Sequence, residues 1–183
     1  KSNDNNTIDL IYNIDMGEKA LIKKINFIGD KKIKDSKLRK IIVSEEAKFW
    51  KFVSNRKYLD INRIQLDTKL LLNYYKNKGY FNATIESSSA KIVDDNQFEL
   101  IFNINAGKKY YFGNIDLEIP DEYSIDAFKK VMDTNSKLEG KIYSFDKIKK
   151  ILNKIDEIAL TKEFEFINAK YKENIVDNKI NLL

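Results

Sequence analysis

The feature that most constrains this chain is a repeat. The twenty residues Ile8 to Phe27 reappear at Phe98 to Leu117, ninety positions later and without a gap. Seven pairs are identical: Leu10/Leu100, Ile11/Ile101, Asn13/Asn103, Ile14/Ile104, Gly17/Gly107, Lys19/Lys109 and Ile25/Ile115. Most others are like for like, as in Tyr12/Phe102. A third copy begins at Ile180 and meets the end of the sequence. Self-similarity at a fixed period marks an array of small units, and it has to be recognised before any other fold reading. Each copy reads as a strand, a break at the glycine, and a second strand. It is a seam where one unit hands over to the next.

The expected division is a C-terminal strand of a preceding unit over residues 1–16, a complete unit over 17–106, and a second unit over 107–183, truncated in its last strand. Both ends therefore read as cut. Within the complete unit, Leu21, Lys23, Ile25 and Phe27 are expected to share one face of the first strand. Asp35 is read as a helix cap before Leu38, Ile41 and Ile42. Ser44 to Asp60 is irregular and carries the only tryptophan, Trp50, between Phe49 and Phe52. The plain reading is that these aromatics cap the core; the sharper one is a partner-facing patch, and the plain one is preferred. A second helix opens at Asp60 or Asn62. Asp67, Leu70, Leu71, Tyr74 and Tyr75 fall on one face of it, and Gly79 ends it.

Tyr80 is expected to start the next strand. Apolar residues sit at odd positions through Ile85 and at even positions from Ala90, so one extra residue is expected within Ser87-Ser88-Ser89, a β-bulge. Asp94-Asp95-Asn96 is a hairpin turn. Phe98, Leu100, Phe102 and Ile104 face inward on the last strand. The order β-α-α-β-β implies an α+β fold. Its three-stranded mixed sheet has the last strand central, the first parallel and the second antiparallel to it, and two helices on one face. The second copy repeats this, with Tyr111, Ile115, Leu117 and Ile119 inward, then Ile125, Phe128 and Val131 on a first helix. A second helix runs from Ser144 to Lys162, and Phe166 to Tyr171 matches Tyr80 to Ile85.

Composition narrows function. Cysteine and histidine are absent, which removes thiol and imidazole catalysis and Cys/His metal sites. The net charge of +5 comes from interspersed acids and bases with three arginines, rather than a basic stripe for nucleic acid. No apolar run approaches the ~20 residues of a membrane span. Neither paired acids nor glycine spacing make a catalytic or phosphate-binding constellation, so no enzyme, cofactor or metal is expected.

Gly17-Glu18-Lys19, Ile22 to Gly29, Asp35-Ser36-Lys37-Leu38 and the helix-to-strand passage Asp67 to Tyr80 together resemble POTRA (polypeptide-transport-associated) domains of BamA-type outer-membrane protein assembly factors. Arg56-Lys57-Tyr58 resembles the third domain of such arrays in particular. The register would then be the end of the second domain, a third, and most of a fourth. Thr161 to Phe164 departs from the pattern, where a glycine and an aromatic are expected. The resemblance implies a periplasmic scaffold within an outer-membrane protein. Its partners would be nascent outer-membrane β-barrel proteins and accessory lipoproteins of BamB and BamD type. Membrane attachment would come only through a barrel outside this sequence.

An edge strand offers unpaired N–H and C=O groups to a guest strand. The expected binding edge is Asn82, Ala83, Thr84, Ile85, Glu86, Ser87, Ser88, Ser89, Ala90, Lys91 and Ile92, with Ile85, Ala90 and Ile92 making side-chain contacts. In the second unit it is Asn168, Ala169, Lys170 and Tyr171. Gly17 and Gly107 are expected as interdomain hinges. Two rival readings are a POTRA array of another transporter (translocation-assembly or two-partner secretion) and, from a different class, an RNA-binding sheet.

Overall fold

The computed structural model describes residues 12–13, 19–50, 53–162, 164 and 169–183. The expected strand Ile8–Ile14, apart from Tyr12 and Asn13, lies outside them, as do Gly17, Phe52 and Asn168. The first unit runs β1 (Leu21–Asp30), α1 (Asp35–Leu38), α2 (Ile61–Asn77), β2 (Thr84–Asp94) and β3 (Gln97–Asn105). The second runs β4 (Tyr111–Ile115), α3 (Lys129–Ser136), α4 (Phe145–Thr161), β5 (Glu173–Val176) and β6 (Lys179–Leu182). The sheets are ordered β1-β3-β2 and β4-β6-β5. In each, the last strand is central, parallel to the first and antiparallel to the second. This is the expected α+β architecture, twice.

α2 forms because Ile64, Asp67, Leu71 and Tyr75 recur on one face and bury there. Asp60 caps it, its carboxylate accepting the Arg63 N–H at 3.0 Å. Gly79 ends it at φ +89°, a positive φ that favours glycine at a helix end. The Tyr80 N–H then closes back on the Tyr75 carbonyl at 3.0 Å. Opposite α2, Leu100, Phe102 and Ile104 of β3 are fully buried. Burial of each such side chain contributes about 1.5–3 kcal/mol. Tyr75 completes this core and donates its hydroxyl to the Lys31 carbonyl at 2.5 Å. Burial pushes its ionisation well above the ordinary tyrosine range.

Several expectations need correction. On β1 the buried residues are Ile22, Ile25 and Phe27, not Leu21 and Lys23, because the pairing with β3 slips between Ile22 and Lys24. β4 does the same, burying Phe112 and Ile115 rather than Tyr111. One extra residue inverts which side chains face the core. Asp35 is the first residue of α1 and not its cap; its carboxylate pairs with Lys31. α1 is a single turn. Ile125 is exposed, while Phe128 and Val131 bury as expected. Tyr80 to Ala83 form a turn, and β2 begins only at Thr84. α4 runs from Phe145 to Thr161 and its end is regular: the Phe164 N–H reaches the Ala159 carbonyl at 2.9 Å.

Buried Asp67 organises the loop after α1. Its carboxylate accepts the N–H groups of Val43 (2.6 Å) and Ser44 (3.2 Å to Oδ2). That satisfies donors which no helix or sheet would otherwise take.

Candidate partner-binding edge

A three-stranded sheet has two edges, and the first unit treats them differently. The outer edge of β1 is closed by its own chain. The Ala47 N–H donates to the Ile22 carbonyl at 2.7 Å, and the Leu59 N–H to the Ala20 carbonyl at 2.8 Å. The Ile25 N–H donates to the Glu46 carboxylate at 3.1 Å, and the Arg39 guanidinium donates to the Ile25 carbonyl at 2.6 Å. Tyr58 bridges to Leu21.

The second unit closes β4 with equivalent bonds. The Gly140 N–H donates to the Phe112 carbonyl at 2.8 Å, the Tyr143 N–H to the Tyr110 carbonyl at 3.1 Å, and Ile142 bridges to Tyr111. The Ile115 N–H faces the Glu139 carboxylate at 3.5 Å. Residues 22 and 112, 25 and 115, and 20 and 110 are all one repeat apart. The closure is therefore a property of the unit.

β2 has no such cover. Among the described residues, its backbone hydrogen-bonds only within the ladder with β3. It is eleven residues long, and all but Ile85 are exposed. The bulge lies at Glu86, one residue before the serines, where the register steps from Ile85/Ile104 to Ser87/Asn103. The extra residue is held: the Glu86 carboxylate accepts the side-chain amides of Asn103 (2.9 Å) and Asn105 (3.3 Å) across the sheet. Past it, Ser88, Ser89 and Lys91 pair with Phe102, Ile101 and Glu99. Ala90 stands opposite Leu100 and Ile92 opposite Phe98, and Ile92 is 69% exposed. Val93, half exposed and also on the strand, sits at a second register shift between Ile92 and Asp94, which breaks the even alternation from Ala90 that the sequence shows.

Asn82 and Ala83 are not on this edge. Ala83 is buried in the core, and the Asn82 side chain donates to the Tyr110 hydroxyl at 2.8 Å, at the junction between units. In the second unit, Ala169, Lys170 and Tyr171 precede β5, whose four residues make a much shorter edge. Tyr171 packs instead beside the core, and burial raises its ionisation.

Gly107, expected as a hinge, has φ +65°, and no described atom lies within 4 Å of where a Cβ would stand. Its flanks are fixed. The Ala106 N–H donates to the Asp30 carbonyl at 2.8 Å and the Tyr110 N–H to the Gly79 carbonyl at 2.7 Å. Phe81 leaves its own unit and packs edge-to-face on Tyr110 and Tyr143. Asn77, the last residue of α2, caps α4 of the neighbour: its Oδ1 accepts the Asp146 N–H at 2.7 Å and the Ser144 hydroxyl at 3.2 Å. The sequence placed α4 correctly but could not reveal that its cap comes from the other unit.

Residues 20–107 match the model of the family described as POTRA, surface antigen variable number repeat. Among curated proteins, the outer membrane protein assembly factor BamA of Neorickettsia risticii (strain Illinois) is 25% identical over 114 residues. That alignment covers 62% of this chain and 15% of the relative. The BamA of Neisseria meningitidis serogroup B is 24% identical over 114 residues, covering 62% and 14%. The chain thus spans a small part of the relatives it matches. Among solved structures, Haemophilus influenzae BamA POTRA3-5 superposes with a TM-score of 0.60 at 12% identity, covering 91% of this chain and 60% of that one. BamA from Haemophilus ducreyi lacking POTRA domains 1-3 gives 0.61 at 14%, covering 88% and 28%. At these identities the structures speak for the fold.

Proposed function

We propose, on the premise that this chain belongs to the POTRA family through residues 20–107, that it is a periplasmic module of an outer-membrane β-barrel assembly factor. In that reading residues 1–16 end one POTRA domain, 17–106 are a whole one, and 107–183 are most of the next. The module is a scaffold. It takes up extended segments of nascent outer-membrane proteins, and of accessory lipoproteins, as an added strand on β2. The observation that carries this is the asymmetry of the sheet: β1 is closed by Ala47, Glu46 and Arg39, whereas β2 presents a long, exposed edge. Main-chain pairing supplies affinity for many sequences, and alternate side chains supply what selectivity there is. The Glu86 bulge limits where a guest can pair, since it breaks the regular spacing of donors and acceptors. Thr84 to Ile92 carry the reading, with Val93 added. Asn82 and Ala83 support the turn that leads into them.

The test uses adjacent prolines. Along a strand, successive N–H groups point to opposite sides, so one of Ser88 and Ser89 faces β3 and the other faces outward. Proline at the outward position removes one guest bond and leaves the ladder intact. The chain is titrated with an extended peptide copied from an outer-membrane barrel strand and followed by backbone-amide NMR. The expected result is shifts concentrated on Thr84 to Val93, lost in the folded one of Ser88→Pro and Ser89→Pro. Unchanged binding in that folded variant would reject strand addition. Shifts spread over lysines and lost with salt would favour charge-driven binding instead.

A further inference from the structure

The two units close their first strands by the same bonds but with different lengths of chain. Gly140 and Tyr143 are three residues apart; their counterparts Ala47 and Leu59 are twelve apart. The first unit therefore carries nine additional residues, Lys48 to Arg56, that the fold does not require. Lys51 and Phe52 lie outside the described residues. The others refute the expectation that these aromatics cap the core. Phe49 is 87% exposed, Trp50 58% and Val53 86%. The Phe49 and Trp50 rings stand edge-to-face at 4.5 Å and support each other rather than the interior. Lys48 lies over the Trp50 ring at 5.5 Å.

We infer that this inserted loop is a membrane-interface contact, in which Phe49, Trp50 and Val53 enter the headgroup layer of an anionic bilayer. Three observations select that occupant. Tryptophan is the residue best suited to a boundary that is apolar on one side and wet on the other. The nine inserted residues hold three basic side chains, Lys48, Lys51 and Arg56, and no acidic one, so the loop is matched to negative headgroups. Arg56 is turned back to Glu45 at 3.5 Å, which ties the base of the loop to the fold and leaves Lys48 at its apolar end. The side chains project instead of lining a groove, so they suit a soft layer better than a shaped protein surface. This inference does not depend on strand addition at β2.

Trp50 is the only tryptophan in the chain and is its own probe. The chain is mixed with phosphatidylcholine vesicles with and without phosphatidylglycerol, and its emission and co-sedimentation are recorded. The expected result is a shift of emission to shorter wavelength and co-sedimentation with the anionic vesicles. Phe49→Ser/Val53→Ser, both at exposed positions, is expected to weaken binding on the order of tenfold. Deleting Lys48 to Arg56 joins Ala47 to Lys57-Tyr58-Leu59, the spacing found at Gly140-Lys141-Ile142-Tyr143, so that variant keeps the closure of β1 while losing vesicle binding. Absence of any emission shift on anionic vesicles would overturn the inference. So would a deletion variant that sediments as the parent does, or an emission shift that follows protein concentration without lipid. The folded proline variant of β2 should retain vesicle binding.

Discussion

The two units share a repeat, a topology and a way of closing one edge, yet they distribute their residues differently. The first has long strands, ten residues in β1 and eleven in β2, and one continuous core against α2. The second has short strands, five in β4 and four in β5, and more helix. Its buried residues fall into two clusters, one under the sheet around Phe112, Tyr143 and Ile180, the other between α3 and α4 around Phe128, Val131 and Ile155. The comparison teaches that strand length is free to vary once the closure of the first strand is kept. A unit can extend its open edge or contract it without altering its order. The first unit extends it and adds an exposed loop beside the closed one. The second is joined through its core to its neighbour.

That contrast can be tested from its strongest contact downward. Asp67→Ala removes the acceptor for two backbone donors in a loop that the second unit builds differently. The expected loss is about 2–3 kcal/mol, confined to the first unit. Urea unfolding followed by amide exchange would show it; equal loss in both units would mean that they unfold as one body. Asn77→Ala should act across the boundary. Removing a helix cap costs about 1 kcal/mol, and here the loss should appear as faster exchange at Asp146 and the first turn of α4, not in α2 where the substitution lies. The smallest effect is with pH. Tyr75 and Tyr143, one in each unit, both have their ionisation raised chiefly by burial. An unfolded tyrosine ionises near pH 10. The folded state holds its protons more tightly, so stability is full below about pH 10 and falls as pH rises beyond it. Urea midpoints at pH 8 and pH 10.5 would register this, and Tyr143→Phe should flatten the fall in the second unit.

Much of this molecule could be read from its text. β3 and α4 were legible because each obeys a single periodicity for its whole length, two for Leu100, Phe102 and Ile104, and 3.6 for Ile148, Ile151 and Ile155. The sheet order was legible because Phe98 to Ile104 is the most continuously apolar strand of its unit, as suits a sheet's centre. β1 and β4 misled because each changes parity after its second residue, and Ile22 and Phe112 then look like outward residues. Trp50 misled for another reason. Apolar composition says that a side chain gains by leaving water, but not what it will meet when it does. Asn82 and Asn77 were illegible in principle: each completes a hydrogen bond in the neighbouring unit, and no local pattern records a partner 28 or 69 positions away. At the edge itself, the run Thr84 to Ile92 was found from its shift in alternation, with the bulge misplaced by one residue.

The closure of β1 and β4 has a consequence for any longer array. A unit whose sheet is open on both sides can join another unit at each edge, and each joined unit offers its own far edge to the next, so two-sided units are templates for fibres. A unit sealed on one side has a valence of one. Two such units can meet edge to edge, but neither then has an edge left for a third, so a row of them cannot join laterally into a growing sheet.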